Sequence, residues 1–303
     1  MKITVLRGGP SAEREVSLVS GAAVANGLRQ AGHEVYESDI SPTDLTGLEY
    51  DADVIFPVLH GTFGESGELQ EILEQRNLPF VGSGSKASRL GMDKVTTKRA
   101  WEKAGLPTPP YRVITSIDEP IPQEPCVVKA IDSGSSIDVY VCKGPAEGTV
   151  QPGEAVRKVL EKHGRALLEK FIQGPELTVG MLEEQPLAPI RIVPRNEFFD
   201  YEAKYKRNDT EHRFDTGLPA HVVQNCRQLA KAANDVVGAR DLARIDIMLD
   251  ESDNFTPYLL EINTLPGFTP KSLLPEAAAH AGIPFPQLVD RLARRAFERH
   301  RRR

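Results

Sequence analysis

An α/β architecture, opening with a parallel, doubly wound sheet, is what this chain predicts, and three features predict it. Apolar strand-like runs alternate with helical patterns over residues 1 to 82. Gly-rich polar loops, RGGPSAERE and HGTFGESGE, follow two of those runs, where ligands sit at the carboxyl ends of such a sheet. From about residue 169 short β runs dominate, as in an α+β lobe.

Taken in order, KITVL reads as a strand, and EREVSLVSGAAVANGLRQAG as a helix with Leu18, Ala22, Ala25 and Leu28 on one stripe. VIFPVLH is a second buried strand, GELQEILEQRN a short helix and LPFVG a further strand. These form the first lobe, residues 1–82. From 83 to 168 a small central α+β lobe is expected. KASRLGMDKVTTKRAWEKAG is helical to Gly105, and LPTPPY is a proline-rich connector. PCVVKA and VYVCK flank IDSGSSID as a hairpin with a long polar tip, and EAVRKVLEKHG is a helix. Residues 169–303 carry the strands LLEKFI, ELTVGML, APIRIVP, ARIDIMLD and YLLEIN, the helix VVQNCRQLAKAANDVVG, and two terminal helices. Between them FFDYEAKYKRNDTEHRFDTGLPAH is long and irregular enough to be a lid or binding loop.

Size and composition narrow the function. At 303 residues the chain suits two or three intimately packed lobes. No apolar run approaches the ~20 residues of a membrane span. MKITVLRGGPSAERE reads as a strand entering a turn rather than as a signal peptide. Cys126, Cys142 and Cys226, odd in number and without metal spacing, suit a reducing cytoplasm. A net charge of −6 argues against nucleic acid as a partner. The basic tail RLARRAFERHRRR reads as a terminal helix with a solvated face, favourable at the negative helix end.

Three constellations carry chemistry. Glu261 and Asn263, two apart on a strand, share a face, as do Arg244 and Asp246. If the two strands are neighbours, two carboxylates and an amide oxygen converge beside a guanidinium. Such hard oxygen donors suit magnesium held together with phosphates, and would equally suit a structural ion-pair network. Lys94, Lys129 and the flexible DSGSSID tip have the character of a phosphate site, although no GxxxxGK[ST] pattern occurs. Glu169 and Glu176, either side of a Gly-Pro turn, could reach a ribose hydroxyl or an adenine amine or be surface charges. Glu13 and Glu15 follow Ser11 at a helix start, where capping and the helix dipole explain them, while a free Glu there could hold an ammonium. His60 ends the second strand, as a ligand-facing or a structural histidine.

GGPSAEREVSLVSG, HGTFGESGELQ, VGSGSKASRLGMDKVTTK, GLPTPPY, EKFIQGPELTVG, FFDYEAKY, RIDIMLD and EINTLPGFTPKSLLP occur in an order that resembles the D-alanine–D-alanine ligases of the ATP-grasp superfamily over nearly the whole chain. The resemblance implies an ATP-grasp fold behind a Rossmann-like first lobe, with ATP between the central and C-terminal sheets. It implies an acyl phosphate formed on one D-alanine and attacked by the amine of a second. Asp246, Glu261 and Asn263 would hold two magnesium ions, for which manganese can substitute. Arg244 and the Gly267 N–H would form the oxyanion site. Lys94, Lys129 and Lys204 would contact phosphates. Glu169, Lys170, Phe171 and Ile172 would line the adenine pocket, with Glu176 on the ribose. Glu13 would anchor the first substrate's ammonium, linked to Ser135 and Tyr205. His60 and Ser272 would lie near the second D-alanine. A homodimer formed through the first lobe, acting in the cytoplasm on small molecules without nucleic acid or membrane, is implied as well. Tyr205 favours an amine acceptor over D-lactate. Asp132 and Asp138 replace a usually basic residue and a glycine, which should weaken lid closure by repelling phosphate. A different acceptor, a non-catalytic nucleotide binder, and a dinucleotide oxidoreductase are the competing readings; the last lacks G-x-G-x-x-G.

Overall fold

The structure, a computed structural model, describes residues 1–122, 124–134, 137–144, 150–193 and 210–302. Its first sheet is parallel and three-stranded, with β1 (Lys2–Arg7) between β2 (Glu34–Asp39) and β3 (Val54–Pro57). The middle of β1, Ile3 to Leu6, is fully buried because both faces of the strand are covered. Ile3 and Val5 pack with Val24 and Leu28 of α1 (Arg14–Gln30), whereas Leu6 packs with Leu69 and Leu73 of α2 (Glu68–Gln75).

Helix α1 turns inward a face that shares only half of the expected stripe: Ala25 and Leu28 are fully buried, as expected, but the face is rotated toward its small residues. Ser17, Gly21, Val24 and Leu28 are buried, while Leu18 and Ala22 are only partly covered. Close approach decides this: a β-carbon on Gly21 would stand 2.5 Å from Cβ of Arg7. The Ser17 hydroxyl meanwhile donates to the Val58 carbonyl and accepts from the Gly8 N–H. LPFVG forms no named strand; Phe80 makes a single bridge to Ile55 before the chain turns at Gly82. The pattern also misses β2, whose EVYESD carries charge because it lies at the sheet edge.

The helical run after residue 83 is two helices, α3 (Ser85–Met92) and α4 (Lys94–Lys103). Asp93 between them is extended, and its side chain accepts from the Thr96 N–H as the cap of α4. Lys94 thereby becomes the first residue of a helix. The central sheet is antiparallel, ordered β4 (Tyr111–Ile114), β7 (Ala166–Lys170), β5 (Cys126–Lys129), β6 (Val139–Cys142), and is covered by α5 (Pro152–His163). β7 runs through the lobe boundary expected at residue 168. LLEKFI, grouped by sequence with the C-terminal strands, pairs instead with β4 and β5.

The third sheet is ordered β11 (Glu211–Arg213), β10 (Ile190–Val193), β8 (Glu176–Leu182), β12 (Leu242–Asp250), β13 (Thr256–Asn263), with β9 (Gln185–Pro186) on β8. Its core packs against α6 (Ala220–Val237) and against Ala87 and Trp101 of α3 and α4. The last helices are α7 (Leu273–His280) and α8 (Phe285–Arg301), and α8 buries Leu288, Val289 and Leu292 against α1 and β3. The polypeptide thus returns to its first lobe to finish that core.

The basic face of α8 is only partly solvated, contrary to expectation. Arg291 pairs with Glu183, Arg295 with Glu184 and Asp241, and Arg299 with Asp241 and the Phe80 carbonyl. Asp241 is fully buried in a left-handed conformation (φ 65°), and its second oxygen accepts from the Gly82 N–H at 2.8 Å. One carboxylate therefore ties α8 to the segment leaving the first lobe. Replacing Asp241 with Ala leaves two guanidinium groups and a buried N–H without their acceptor, and a loss of about 3 kcal/mol is expected. Urea unfolding of Asp241→Ala checks this, with Asp241→Asn, which tolerates the left-handed backbone, losing less.

Candidate functional site

β12 and β13 are antiparallel neighbours, with Arg244 opposite Asn263 and Asp246 opposite Glu261. On β12 the alternation is regular: Ile245, Ile247 and Leu249 enter the core, and Asp246 and Met248 line a cavity of about 710 Å³. On β13 it is not. Leu259 and Ile262, an odd number apart, are both in the core, and Leu260 and Glu261 both face the cavity. A register shift between Asp246 and Ile247 accounts for this, since one extra residue moves the chain to the other face of the sheet.

Asp246 is buried and engaged on both oxygens. Oδ1 accepts from the Thr178 hydroxyl at 2.6 Å and from Arg244 Nε at 3.0 Å, and Oδ2 accepts from Arg244 Nη2 at 2.8 Å. Arg244 and Asp246 therefore do form an ion pair, and Asp246 forms it within a cavity wall. Asn263 Oδ1 accepts from the Leu265 N–H and faces a smaller adjoining cavity, to which Glu261, Lys94 and Arg244 also contribute. Among the described residues no group of three or more His, Cys, Asp or Glu side chains forms a metal cage. Two carboxylates and an amide, all hard oxygen donors, fit a magnesium ion that takes its remaining ligands from phosphate and water.

Every described residue expected at the nucleotide lines the larger cavity: Lys94, Lys129, Glu169, Lys170, Phe171, Ile172 and Glu176. The QGPE turn that divides Glu169 from Glu176 is tight, and a β-carbon on Gly174 would collide with the Leu249 carbonyl at 2.0 Å. Glu169 is neither exposed nor free. Its Oε2 lies 2.5 Å from Lys129 Nζ, and its Oε1 2.5 Å from Nζ of Lys98, a fully buried lysine that sequence reasoning passed over. Burial alone would raise the Glu169 pKa; Lys129 and Lys98 overcome it and hold the carboxyl at about 2. The available signal was the DKVTTK spacing, which puts Lys94 and Lys98 on one helix face.

The hairpin tip is held from two sides. Lys94 donates its backbone N–H to the Ile131 carbonyl and its Nζ to the Ser133 carbonyl at 2.6 Å, and Nζ lies 3.6 Å from Glu261. On the other side Asp138, with φ 53°, accepts from Lys162 at 2.7 Å and pairs with His163 at 2.8 Å, both on α5. Burial disfavours its anion, but the hydrogen bonds from Lys162 and His163 more than compensate and hold its pKa low. The expected repulsion thus loses its Asp138 half, because that carboxylate is neutralised by α5. Asp132 remains exposed.

In the first lobe the two glutamates at the start of α1 separate. Glu15 is exposed in the first turn, whereas Glu13 is buried. The Glu13 N–H donates to the Ser11 hydroxyl, so Ser11 braces the turn rather than capping the helix. A β-carbon on Gly134 would stand 3.6 Å from Oε2 of Glu13 and 3.8 Å from Oε2 of Glu65, which brings the hairpin tip against the first lobe. His60 is buried; its Nδ1 lies 3.2 Å from Glu65 Oε1, and among the described residues its Nε2 has no hydrogen-bond partner. Burial raises the Glu65 pKa against the opposing pull of His60. Glu65, in the polar HGTFGESGE loop, is a second residue that sequence reasoning did not select. Gly267 has space for a β-carbon, 3.5 Å from the Ser272 hydroxyl, so protein packing does not itself demand glycine there. Ser272 precedes α7, and its Oγ accepts from the Thr269 N–H. Ser135, Lys204 and Tyr205 lie outside the described residues.

Comparison with known proteins gives one consistent result. Residues 100–294 match the family described as "D-ala D-ala ligase C-terminus", and residues 38–83 the one described as "D-ala D-ala ligase N-terminus". The chain is 42% identical over 312 residues to the D-alanine--D-alanine ligase of Gloeobacter violaceus, covering 98% of this chain and 100% of that one. It is 40% identical over 304 residues to that of Acinetobacter baumannii, covering 98% and 96%. A crystal structure of the Bacillus anthracis ligase superposes with a TM-score of 0.83 at 30% identity, over 100% of this chain and 99% of that one. The same protein complexed with ATP gives 0.82 at 28% identity, over the same shares.

The two-sided hold on the hairpin yields an expected outcome. Asp138→Asn keeps a residue tolerant of positive φ but removes the charge, worth ~1 kcal/mol for a partly exposed pair. Amide exchange at Ala130 and Ile137, which donate within the hairpin loop, should quicken about fivefold.

Proposed function

We propose, from the premise that the chain belongs to the D-alanine–D-alanine ligase family, that its two adjoining cavities are the nucleotide and amino-acid halves of one active site. The enzyme is an ATP-dependent ligase that joins two D-alanine molecules into D-alanyl-D-alanine through an acyl phosphate, for peptidoglycan precursor synthesis. The observation that carries the site reading is the shared wall: Lys94, Lys129 and Glu169 line one cavity with Asp246 and Glu261.

ATP binds between the central and C-terminal sheets, its adenine by Glu169, Lys170, Phe171 and Ile172 and its ribose by Glu176. Lys94, Lys129 and Lys204 take the phosphates. Asp246, Glu261 and Asn263 would hold two magnesium ions, or manganese in their place, which supply charge neutralisation for phosphoryl transfer. The first D-alanine places its ammonium on Glu13, and its carboxylate attacks the terminal phosphorus of ATP, releasing ADP. The second amine then attacks the acyl carbon, and phosphate leaves from a tetrahedral intermediate. Negative charge gathers on one oxygen in that second step. Arg244, already oriented by two hydrogen bonds to Asp246, and the Gly267 N–H meet it there.

His60 and Ser272 flank the second D-alanine, and Glu65 holds the His60 ring from its Nδ1 side. Ser135 and Tyr205 join Glu13 to close the lid. We also assign the reaction to the cytoplasm and the working form to a homodimer paired through the first lobe. No helix of the described residues is long and apolar enough to cross a membrane.

A coupled assay tests the whole reading. Phosphate release from ATP should require D-alanine and a divalent cation, yield the dipeptide, and fail with L-alanine. D-lactate as second substrate is the discriminating comparison, and ligation to D-lactate at a comparable rate would move the chain to a different acceptor class. Arg244→Ala, which removes a donor to the developing oxyanion, should lower kcat about 10²- to 10³-fold.

A further inference from the structure

Among the buried ionisable groups, Lys98 has no part in the mechanism above. It sits on α4 four residues after Lys94, with its side chain fully buried. Nζ lies against Oε1 of Glu169 and also donates to the Thr108 hydroxyl, which in turn donates to the Leu259 carbonyl of β13 at 2.8 Å. The Tyr111 ring lies 5.7 Å from the ammonium. The other oxygen of Glu169 holds Lys129, and both of those residues face the nucleotide cavity. One carboxylate is thus shared by two ammonium groups, one on the cavity wall and one behind it.

We propose that Lys98 is a positioning residue for the nucleotide, fixing Glu169 from behind the cavity wall so that Glu169 presents Lys129 to the phosphates. The inference rests on the nucleotide reading of this cavity. Stability alone is a poor reason for such a lysine, because a buried ion pair replaced by well-packed apolar side chains is often neutral or stabilising. What an apolar residue could not do is leave the wall cationic. Burial lowers the Lys98 pKa and Glu169 opposes that loss; with both lysines protonated, two ammonium groups against one carboxylate give this triad a net positive charge at the place where a polyphosphate would arrive. The Thr108 link also joins the floor of this triad to β13, two residues before Glu261.

Removing Lys98 has a consequence with a definite sign. Glu169 is depressed, so it is anionic above its folded pKa, and its hold on Lys129 is lost as pH falls through that value. With Lys98 present that value is about 2, far below the assay range. In Lys98→Met the burial that raises it remains and only Lys129 opposes, so it climbs. The groups that face Glu169 are Lys98 from α4 and Lys129 from β5, and Glu261 and Glu176 act on Lys129.

The test is steady-state kinetics of Lys98→Met on the full chain, with ATP and D-alanine varied separately from about pH 5.5 to about pH 8. The KM for ATP should rise roughly tenfold or more, as expected when one partner of a buried ion pair is removed, and should worsen as pH falls. The KM for D-alanine should stay within about twofold, because that half of the site is untouched. An unchanged ATP KM, or equal rises in both KM values with a lowered melting temperature, overturns the proposal. Should Lys98→Met not fold, Thr108→Val decides: it keeps both charges and removes the hydroxyl, and a raised ATP KM at unchanged melting temperature supports the inference, while an unchanged KM refutes it. Failure of the wild-type chain to turn over ATP with D-alanine would instead refute the site reading itself.

Discussion

The site depends on the antiparallel register of β12 and β13. Pairing Asp246 with Glu261 and Arg244 with Asn263 sets four polar side chains side by side at the end of a sheet that sends Ile245, Ile247 and Ile262 into the core. A strand with strict alternation could not bury both Leu259 and Ile262 and still present Glu261. The bulge beside Asp246 resolves that conflict and leaves Leu260 and Glu261 adjacent on the cavity wall. Removing the extra residue would carry the carboxylate into the core, at the cost of an unpaired buried charge.

That sheet is held in place by parts of the chain far from it in sequence. Trp101 and Ala87 of α3 and α4 complete its core, and α8 completes the core of the first lobe. Asp241 sits between these arrangements, accepting from Gly82 on one side and from Arg295 and Arg299 on the other. The lobes are therefore interleaved rather than strung along the chain, and the same interleaving brings Glu13 and Glu65 of the first lobe against the Gly134 tip of the central hairpin. Closing a small substrate between lobes requires such fixed edges, since a misplacement of an ångström is costly in rate.

Where the sequence was legible, one physical signal dominated locally. The alternation in ARIDIMLD and the oxygen donors ending YLLEIN gave the strands, their faces and the convergence, because hydrophobic burial sets strand register. The hairpin around DSGSSID was legible for the same reason. Legibility failed where long-range packing overrode the local pattern. α1 turns its small residues inward because Gly21 must pass close to Arg7. LLEKFI joins the central sheet because β4, itself unread, supplies its edge partner. Lys98 and Glu65 were missed because only burial distinguishes them from ordinary surface charges, and burial of a lone charged residue is invisible until its partners are placed. The Asp138 half of the expected repulsion was misjudged for a related reason: the partners of that carboxylate, Lys162 and His163, lie 24 and 25 residues away on α5.

In the proposed function, Asp246, Glu261 and Asn263 act together on a divalent cation only when a nucleotide completes the ligand set. The most direct measurement is titration of Mn2+ by electron paramagnetic resonance, with and without a non-hydrolysable ATP analogue. Saturable binding that needs the analogue, and that is lost in Glu261→Gln, is the predicted result. Equal binding by Glu261→Gln and the unaltered chain would contradict it.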